Sequence, residues 1–503
     1  MQADAAYEDL IRRSREASLL ASCSSLLGWD EQTYMPTGGV EHRSRQMALL
    51  AGLHHEKATD PIIGELLEQL DGTPLVQDAD SPAAVNIREL KRNYQRLTRL
   101  PRSLVEEMAR TVSISQQEWI TARSKADYAH FQPWLERIVA LKQREAECLG
   151  DGTADYDALL DEYEPGAKSA EIAVLFDALR TDLVPLVRAI AESPIKPNVA
   201  ILRGEFPVDR QRIFGELVAG ALGFDFSKGR LDTTAHPFCS GIGPGDCRIT
   251  TRFHHDQFAD ALFGIMHEVG HGLYEQGLDP AHFGTPMGES VSLGIHESQS
   301  RLWENAVGRS RPFWSHFLPI AQRFFPESFP NVSLDEFHLA INRVEPSLIR
   351  VEADEVTYNL HILVRFELER ELLSGQLTAA DLPEAWNRKY AEYLGIRPSN
   401  NAEGCLQDIH WSAGLFGYFP TYTLGNIFAA QLFAQANTDL GNLDNLLGQG
   451  NFAPLLAWLR ERVHLQGQRY RSSRLVEVVT GSPLNHAPLV QSLKQKYEPL
   501  YRI

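Results

Sequence analysis

The 503 residues are ample chain for a large core, and as a soft prior this length corresponds to roughly three domains. Composition is that of an ordinary globular protein: 43% hydrophobic, 23% charged and 9% aromatic. The formal net charge of −18, without any Lys/Arg block, argues against a nucleic-acid or anionic-membrane partner, since both need a concentrated basic surface.

The chain opens on MQADAAYEDLIRRSREASLLASC, which mixes charges of both signs into an amphipathic helix. It lacks the basic segment followed by an apolar core that marks a secretory signal. No run of about 18 apolar residues occurs, so no transmembrane helix is expected. Cys23, Cys148, Cys239, Cys247 and Cys405 are scattered without a CxxC pair, which suits a reducing compartment and a cytoplasmic location.

Helix-period patterning then dominates: Tyr7 to Leu27, Ser81 to Leu100, Leu104 to Lys125, Trp134 to Leu149 and Ser169 to Glu192. Pro101, Pro133 and Pro207 sit at the starts or ends of such runs, where proline is tolerated. From Phe224 to Phe253 the pattern breaks into Gly, Thr, Asp and Pro with short alternating runs, which predicts a small antiparallel sheet of two or three strands. Helical periodicity resumes over Asp256 to Gln276, Glu289 to Arg309, Leu334 to Val344, Leu348 to Ser374, Tyr422 to Ala436 and a series from Phe452. No internal repeat, low-complexity tract or long polar linker appears, so one large, mainly α domain is expected in place of the length-based count.

The first helix after the sheet carries His267-Glu268-Val269-Gly270-His271. Histidines four apart share a helix face, so both imidazoles can reach one metal ion, and the Glu between them lies where a general base for water belongs. The chance expectation of H-E-x-x-H in this composition is about 0.04, and the helix around it has a well-formed apolar stripe. Gly264, Gly270 and Gly272 each cost roughly 1 kcal/mol against Ala in a helix interior, which makes sense if another helix or a substrate must approach closely. Catalytic zinc takes three protein ligands and keeps one position open. Gly277 to Gly288 reads as a loop, and the helix after it carries His296-Glu297-Ser298-Gln299. Glu297, 26 positions after His271, completes the two-histidine, one-carboxylate set of hydrolytic zinc sites, with His296 as the rival ligand.

These residues resemble the carboxypeptidase Taq family of metallocarboxypeptidases. Besides the two metal elements, His236-Pro237-Phe238 is similar to its HPF motif, Asp246 to Thr250 to DxRxT, Ile349 to Asp354 to IRxxAD, and Gly404 to Trp411 to GxxQDxHW. Leu27 to Glu31 followed by Met35-Pro36 also looks like the family's opening segment. The resemblance covers nearly the whole chain. It implies a single peptidase domain over residues 1–503, with a deep groove, the β region at about 224–253 and metal helices at about 256–276 and 289–309. It also implies a zinc or cobalt ion, release of single residues from free peptide C-termini with broad specificity, and a homodimer. An exopeptidase must recognise a carboxylate, for which arginine's planar fork is suited, and Arg248 and Arg350 are the matched arginines. Arg350 and Asp354, four apart, also read as a simple surface pair on a helix. His236 and His410 would line the same groove, and Tyr422, with His410, is the candidate donor to the developing oxyanion. An endo-acting helical oligopeptidase and a non-catalytic metal-stabilised scaffold are the competing readings of the same metal motif.

Overall fold

Most of the expected helices form in the computed structural model, which describes residues 2–150 and 155–503. Several outgrow their expected ends: the first runs Gln2–Thr33, and the Tyr422 helix extends over Pro420–Leu440. Helices Pro61–Leu70 and Arg311–Phe324 are additional, and both carry local start signals. Asp60 accepts from the Ile62 N–H at 3.0 Å ahead of Pro61, and Ser310 accepts from the Phe313 N–H at 3.2 Å ahead of Pro312. Pro133, expected at a helix boundary, lies inside Tyr128–Leu149 because Asp127 caps that helix earlier, through the His130 N–H. One backbone hydrogen bond is lost to the ring, and burial of Phe131, Leu135, Ile138 and Leu141 offsets it.

The chain folds into two compact units. The first comprises Met1–Thr98, Asn198–Ile341 and Ala429–Pro483. Its aromatic core gathers around Phe258, whose ring centroid lies 5.5 Å from Phe206, 5.5 Å from Phe325 and 5.0 Å from Phe329. Such pairs each contribute about 0.5–1.5 kcal/mol beyond their burial. Phe258 immediately precedes helix Ala259–Glu275, so this core anchors the start of the helix that carries H-E-x-x-H.

The Gly/Thr-rich region of this unit forms β1 (Gly229–Thr233), β2 (Cys239–Gly243) and β3 (Asp246–Thr251), in the order β1-β3-β2. β2 and β3 pair antiparallel as expected, while β1 adds parallel to the other edge of β3. The sheet is therefore mixed, because the 234–238 link crosses from one edge of β3 to the other instead of turning back along β1. Strand alternation gives β3 two faces. Cys247 and Ile249 are buried toward helix Ala259–Glu275, where Gly272 leaves room for Ile249. Asp246, Arg248 and Thr250 occupy the opposite face.

The second unit comprises Arg99–Pro197, Asn342–Phe428 and Leu484–Ile503, and no strand forms among its described residues. Helix Thr357–Leu373 is buried on nearly every side, packed on Ser169–Glu192 and Leu382–Leu394. A helix apolar all round would need no partners, but this one carries His361, Arg365 and Glu369 four apart, all fully buried. Glu369 accepts from the Tyr156 hydroxyl at 2.7 Å, Trp411 Nε1 at 2.9 Å and the Gly417 N–H at 3.1 Å, and Arg365 Nη1 donates to His361 O at 2.8 Å. His361 meets the Tyr390 hydroxyl through Nδ1 at 2.9 Å, while its Nε2 has no partner among the described residues. The single helix expected over Leu348 to Ser374 is instead a short 3-10 turn, Arg350–Glu352, followed by Thr357–Leu373. Asp354 starts the latter by accepting from the Val356 and Thr357 N–H groups, each at 2.9 Å.

Candidate active site

In the first unit, His267 and His271 stand one turn apart on helix Ala259–Glu275, and Glu297 comes from the helix that packs back on it, Leu293–Arg301. Ser292 caps this second helix by accepting from the Ile295 N–H at 3.0 Å, which fixes where Glu297 falls in the turn. Potential donor atoms of His267, His271 and Glu297 lie within 4.8 Å of one another. Both histidines present Nε2 to the same Glu297 oxygen, at 3.7 and 3.5 Å. Two imidazoles and one carboxylate fit a divalent cation of the zinc type. His296, the rival ligand, faces away from this point: its Nδ1 lies 2.6 Å from His271 Nδ1 and its Nε2 lies 2.7 Å from Glu275 Oε1.

Charges behind the donor set are arranged in opposition. Burial alone would push Glu297 up, and Arg301, whose Nε donates to it at 2.7 Å, together with the histidines holds the carboxylate well below its ordinary range. After Arg301 the helix widens into a π-helical stretch, Leu302–Val307, which brings Glu304 Oε2 to 2.9 Å from His267 Nδ1. Burial opposes ionisation of Glu304 as well, and the His267 hydrogen bond with Arg301 overrides it, holding the carboxyl at about 2. Glu268 lacks such support. It is 6% exposed and hydrogen bonds to no described residue, and burial pushes its carboxyl up to about 7.

The glycines of helix Ala259–Glu275 have separate reasons. A Cβ on Gly270 would lie 2.5 Å from Gln299 O and 2.5 Å from Ser300 Cα, both backbone atoms of the second helix stretch. A Cβ on Gly264 would meet only Thr251 Oγ1, at an ordinary 3.4 Å. Close approach of helices thus requires Gly270 and not Gly264. Gly270→Ala is expected to destabilise the fold by about 1–3 kcal/mol despite the better helix propensity of alanine, because backbone cannot yield as a side-chain tip can. Thermal unfolding checks this, and an unchanged midpoint would show that the helices can separate freely.

Elsewhere in this unit, Arg248 makes two parallel bonds to Asp246, at 2.8 and 2.7 Å, with its guanidinium carbon 4.2 Å from the Trp29 ring centroid. Thr250, its neighbour on that face, holds the motif segment before β2: it donates to Phe238 O at 2.9 Å and accepts from the Phe238 N–H at 2.8 Å. His236 is exposed in that segment.

The second unit gathers Arg350, His410 and Tyr422. Arg350 is buried, with Nη2 donating to Asp408 Oδ1 at 2.7 Å and Nη1 to the Tyr358 hydroxyl at 3.0 Å. It is therefore no surface partner of Asp354. Arg365 Nε donates to the other Asp408 oxygen at 2.7 Å, so one carboxylate faces two arginines and the cluster keeps a net positive charge. Tyr422 has its ring 5.1 Å from the Arg350 guanidinium and its hydroxyl 3.3 Å from His410 Nε2. Burial holds His410 down at about 4, so its imidazole is neutral near pH 7. Sequence reasoning missed Glu304, Glu275 and Arg365. Glu304 sits seven positions after Glu297 on the same helical face, and Arg365 is a charge inside an apolar run; both were available signals.

Fold and donor set together define a helical metallohydrolase. The sequence model of the Carboxypeptidase Taq (M32) metallopeptidase family matches residues 9–497, and the chain belongs to that family. It is 50% identical over 510 residues to thermostable carboxypeptidase 1 of Thermus thermophilus, covering 100% of both chains. Carboxypeptidase 1 of Bacillus subtilis is 38% identical, with 98% of each chain covered. The crystal structure of the M32 carboxypeptidase from Deinococcus radiodurans superposes with a TM-score of 0.96 at 39% identity, covering 99% of this chain and 100% of that one. The activity class of the chain is metallocarboxypeptidase.

Proposed function

We propose that the protein releases single amino acids from free peptide C-termini with broad specificity, using zinc, with cobalt as the alternative ion, held by His267, His271 and Glu297. The convergence of these three donors beside Glu268 carries the reading. A divalent cation bound there supplies Lewis acidity, lowering the pKa of water and polarising a scissile carbonyl. Glu268 holds the water's proton on its carboxylate and returns it to the leaving amine; a carboxyl raised by burial toward neutrality suits both directions of transfer.

Arg350 is assigned to the substrate carboxylate, and its sharing of Asp408 with Arg365, which leaves positive charge over, supports that role. Arg248 and His236 are further substrate contacts, and neutral His410 and the Tyr422 hydroxyl are donors to the developing oxyanion. Five free cysteines and the family resemblance support a cytoplasmic homodimer. No helix among the described residues is long and apolar enough to cross a membrane.

The deciding experiment compares a peptide with its C-terminally amidated form, with and without chelator, by mass spectrometry. Stepwise shortening of the free peptide alone, abolished by chelator, is expected. Equal internal cleavage of both forms would identify an endopeptidase, and cleavage of neither would leave a metal-stabilised scaffold.

A further inference from the structure

The two histidines of the donor set are held from behind by different partners. His267 Nδ1 faces the carboxylate of Glu304 directly. His271 Nδ1 instead faces a second imidazole, His296 Nδ1, and the carboxylate of Glu275 stands behind that, 2.7 Å from His296 Nε2. Proton placement in this chain is determined step by step. A histidine that ligates through Nε2 carries its proton on Nδ1, so His271 donates and His296 Nδ1 must accept. His296 can accept there only if its own proton is on Nε2, where Glu275 Oε1 receives it.

We infer that Glu275 is a positioning residue of the metal centre, acting through His296 to hold His271 in its Nδ1–H tautomer with Nε2 bare toward the cation. The inference rests on the reading of His271 as a ligand. If the Glu275 acceptor is removed, His296 is free to carry its proton on Nδ1. Two N–H groups would then face each other across 2.6 Å, and His271 must turn or move its proton to the atom the metal needs.

Two further contacts hold the relay in place. A Cβ on Gly241 of β2 would overlap Glu275 Oε2, so the carboxylate lies directly on the strand backbone, which leaves it room only because residue 241 is glycine. The Tyr274 ring lies 5.2 Å from the His296 ring, tilted by 39°, and restricts its rotation. The small sheet thereby fixes a ligand on a helix it packs against.

The test is zinc affinity of the full-length protein, measured by competition with a chromophoric chelator, with the melting temperature of the metal-free form recorded alongside. Glu275→Ala is expected to weaken zinc binding about tenfold to a hundredfold with little change in that melting temperature. Glu275→Gln keeps an oxygen that accepts from His296 and is expected to restore most of the affinity. Gly241→Ala, which displaces the carboxylate, should weaken binding in the same direction, and adding Glu275→Ala to it should cost little more. Equal losses in Glu275→Gln and Glu275→Ala would overturn the tautomer role. Affinity of Glu275→Ala within twofold of the parent, while His271→Ala has lost binding, would overturn the inference and leave the ligand reading standing. Unchanged affinity in His271→Ala would remove the ligand reading itself.

Discussion

Glu268→Gln is expected to bind a full equivalent of metal and to lose about two to four orders of magnitude in kcat, the usual contribution of a positioned proton-transfer group. The two side chains have the same shape, and Glu268 bonds to no described residue, so the substitution breaks no hydrogen bond in the fold. It also leaves His267, His271 and Glu297 as they are, since the Glu268 carboxylate is outside the converging donor set. What the amide cannot do is take a proton. A buried carboxyl pushed up to about 7 exchanges protons readily near neutral pH, and glutamine has no such capacity. Metal content by elemental analysis, measured beside turnover on one free peptide, separates the outcomes. Near-normal turnover with metal bound would end the assignment of Glu268 as base, and loss of metal would show that its charge helps retain the ion.

The convergence of His267, His271 and Glu297 was legible in sequence because helices make spacing into geometry. Histidines four apart must share a face, and a carboxylate on the next helix needs only a loop short enough to return it. Gly270 shows the same logic at finer grain: its lack of a side chain recorded a helix contact before any contact was visible. The relay behind His271 was not legible, because Glu275, His296 and Gly241 come from three elements whose approach depends on the register of the sheet against the helix. Periodicity also failed at Pro133 and at Arg350, and in both cases an aspartate decided the helix start. Asp127 moved one start upstream, and Asp354 moved another downstream, leaving Arg350 outside the helix. Capping residues set boundaries more sharply than apolar spacing does. The strand pairing of β1 escaped for a related reason, since alternation reports which face a residue takes and is silent on which edge the strand joins.

Asp408→Ala is expected to destabilise the second unit by about 3–5 kcal/mol, the usual result of removing one partner from a buried ion pair. Arg365 is fully buried and Arg350 is 5% exposed, and Asp408 is the carboxylate placed between them. Without it, two like charges share a site that excludes water; Gln407, whose oxygen accepts from Arg365 at 2.7 Å, offers only a dipole. The pH dependence has a definite sign. Burial would raise Asp408, and the charges of Arg365 and Arg350 override it and hold its pKa below the ordinary carboxylate value of 3.8. Its contribution is therefore fully present above that ordinary value and is lost only as pH falls through the depressed one, so the parent and Asp408→Ala should differ most above about pH 4 and converge in strong acid. If repulsion between stranded arginines is the cause, adding Arg365→Leu to Asp408→Ala should recover part of the loss, although each change alone destabilises. Urea midpoints for the parent, both single variants and the double variant test this. A loss no larger than that of an ordinary surface substitution, or strict additivity in the double variant, would mean that the two guanidiniums reach water and that Asp408 holds geometry without balancing charge.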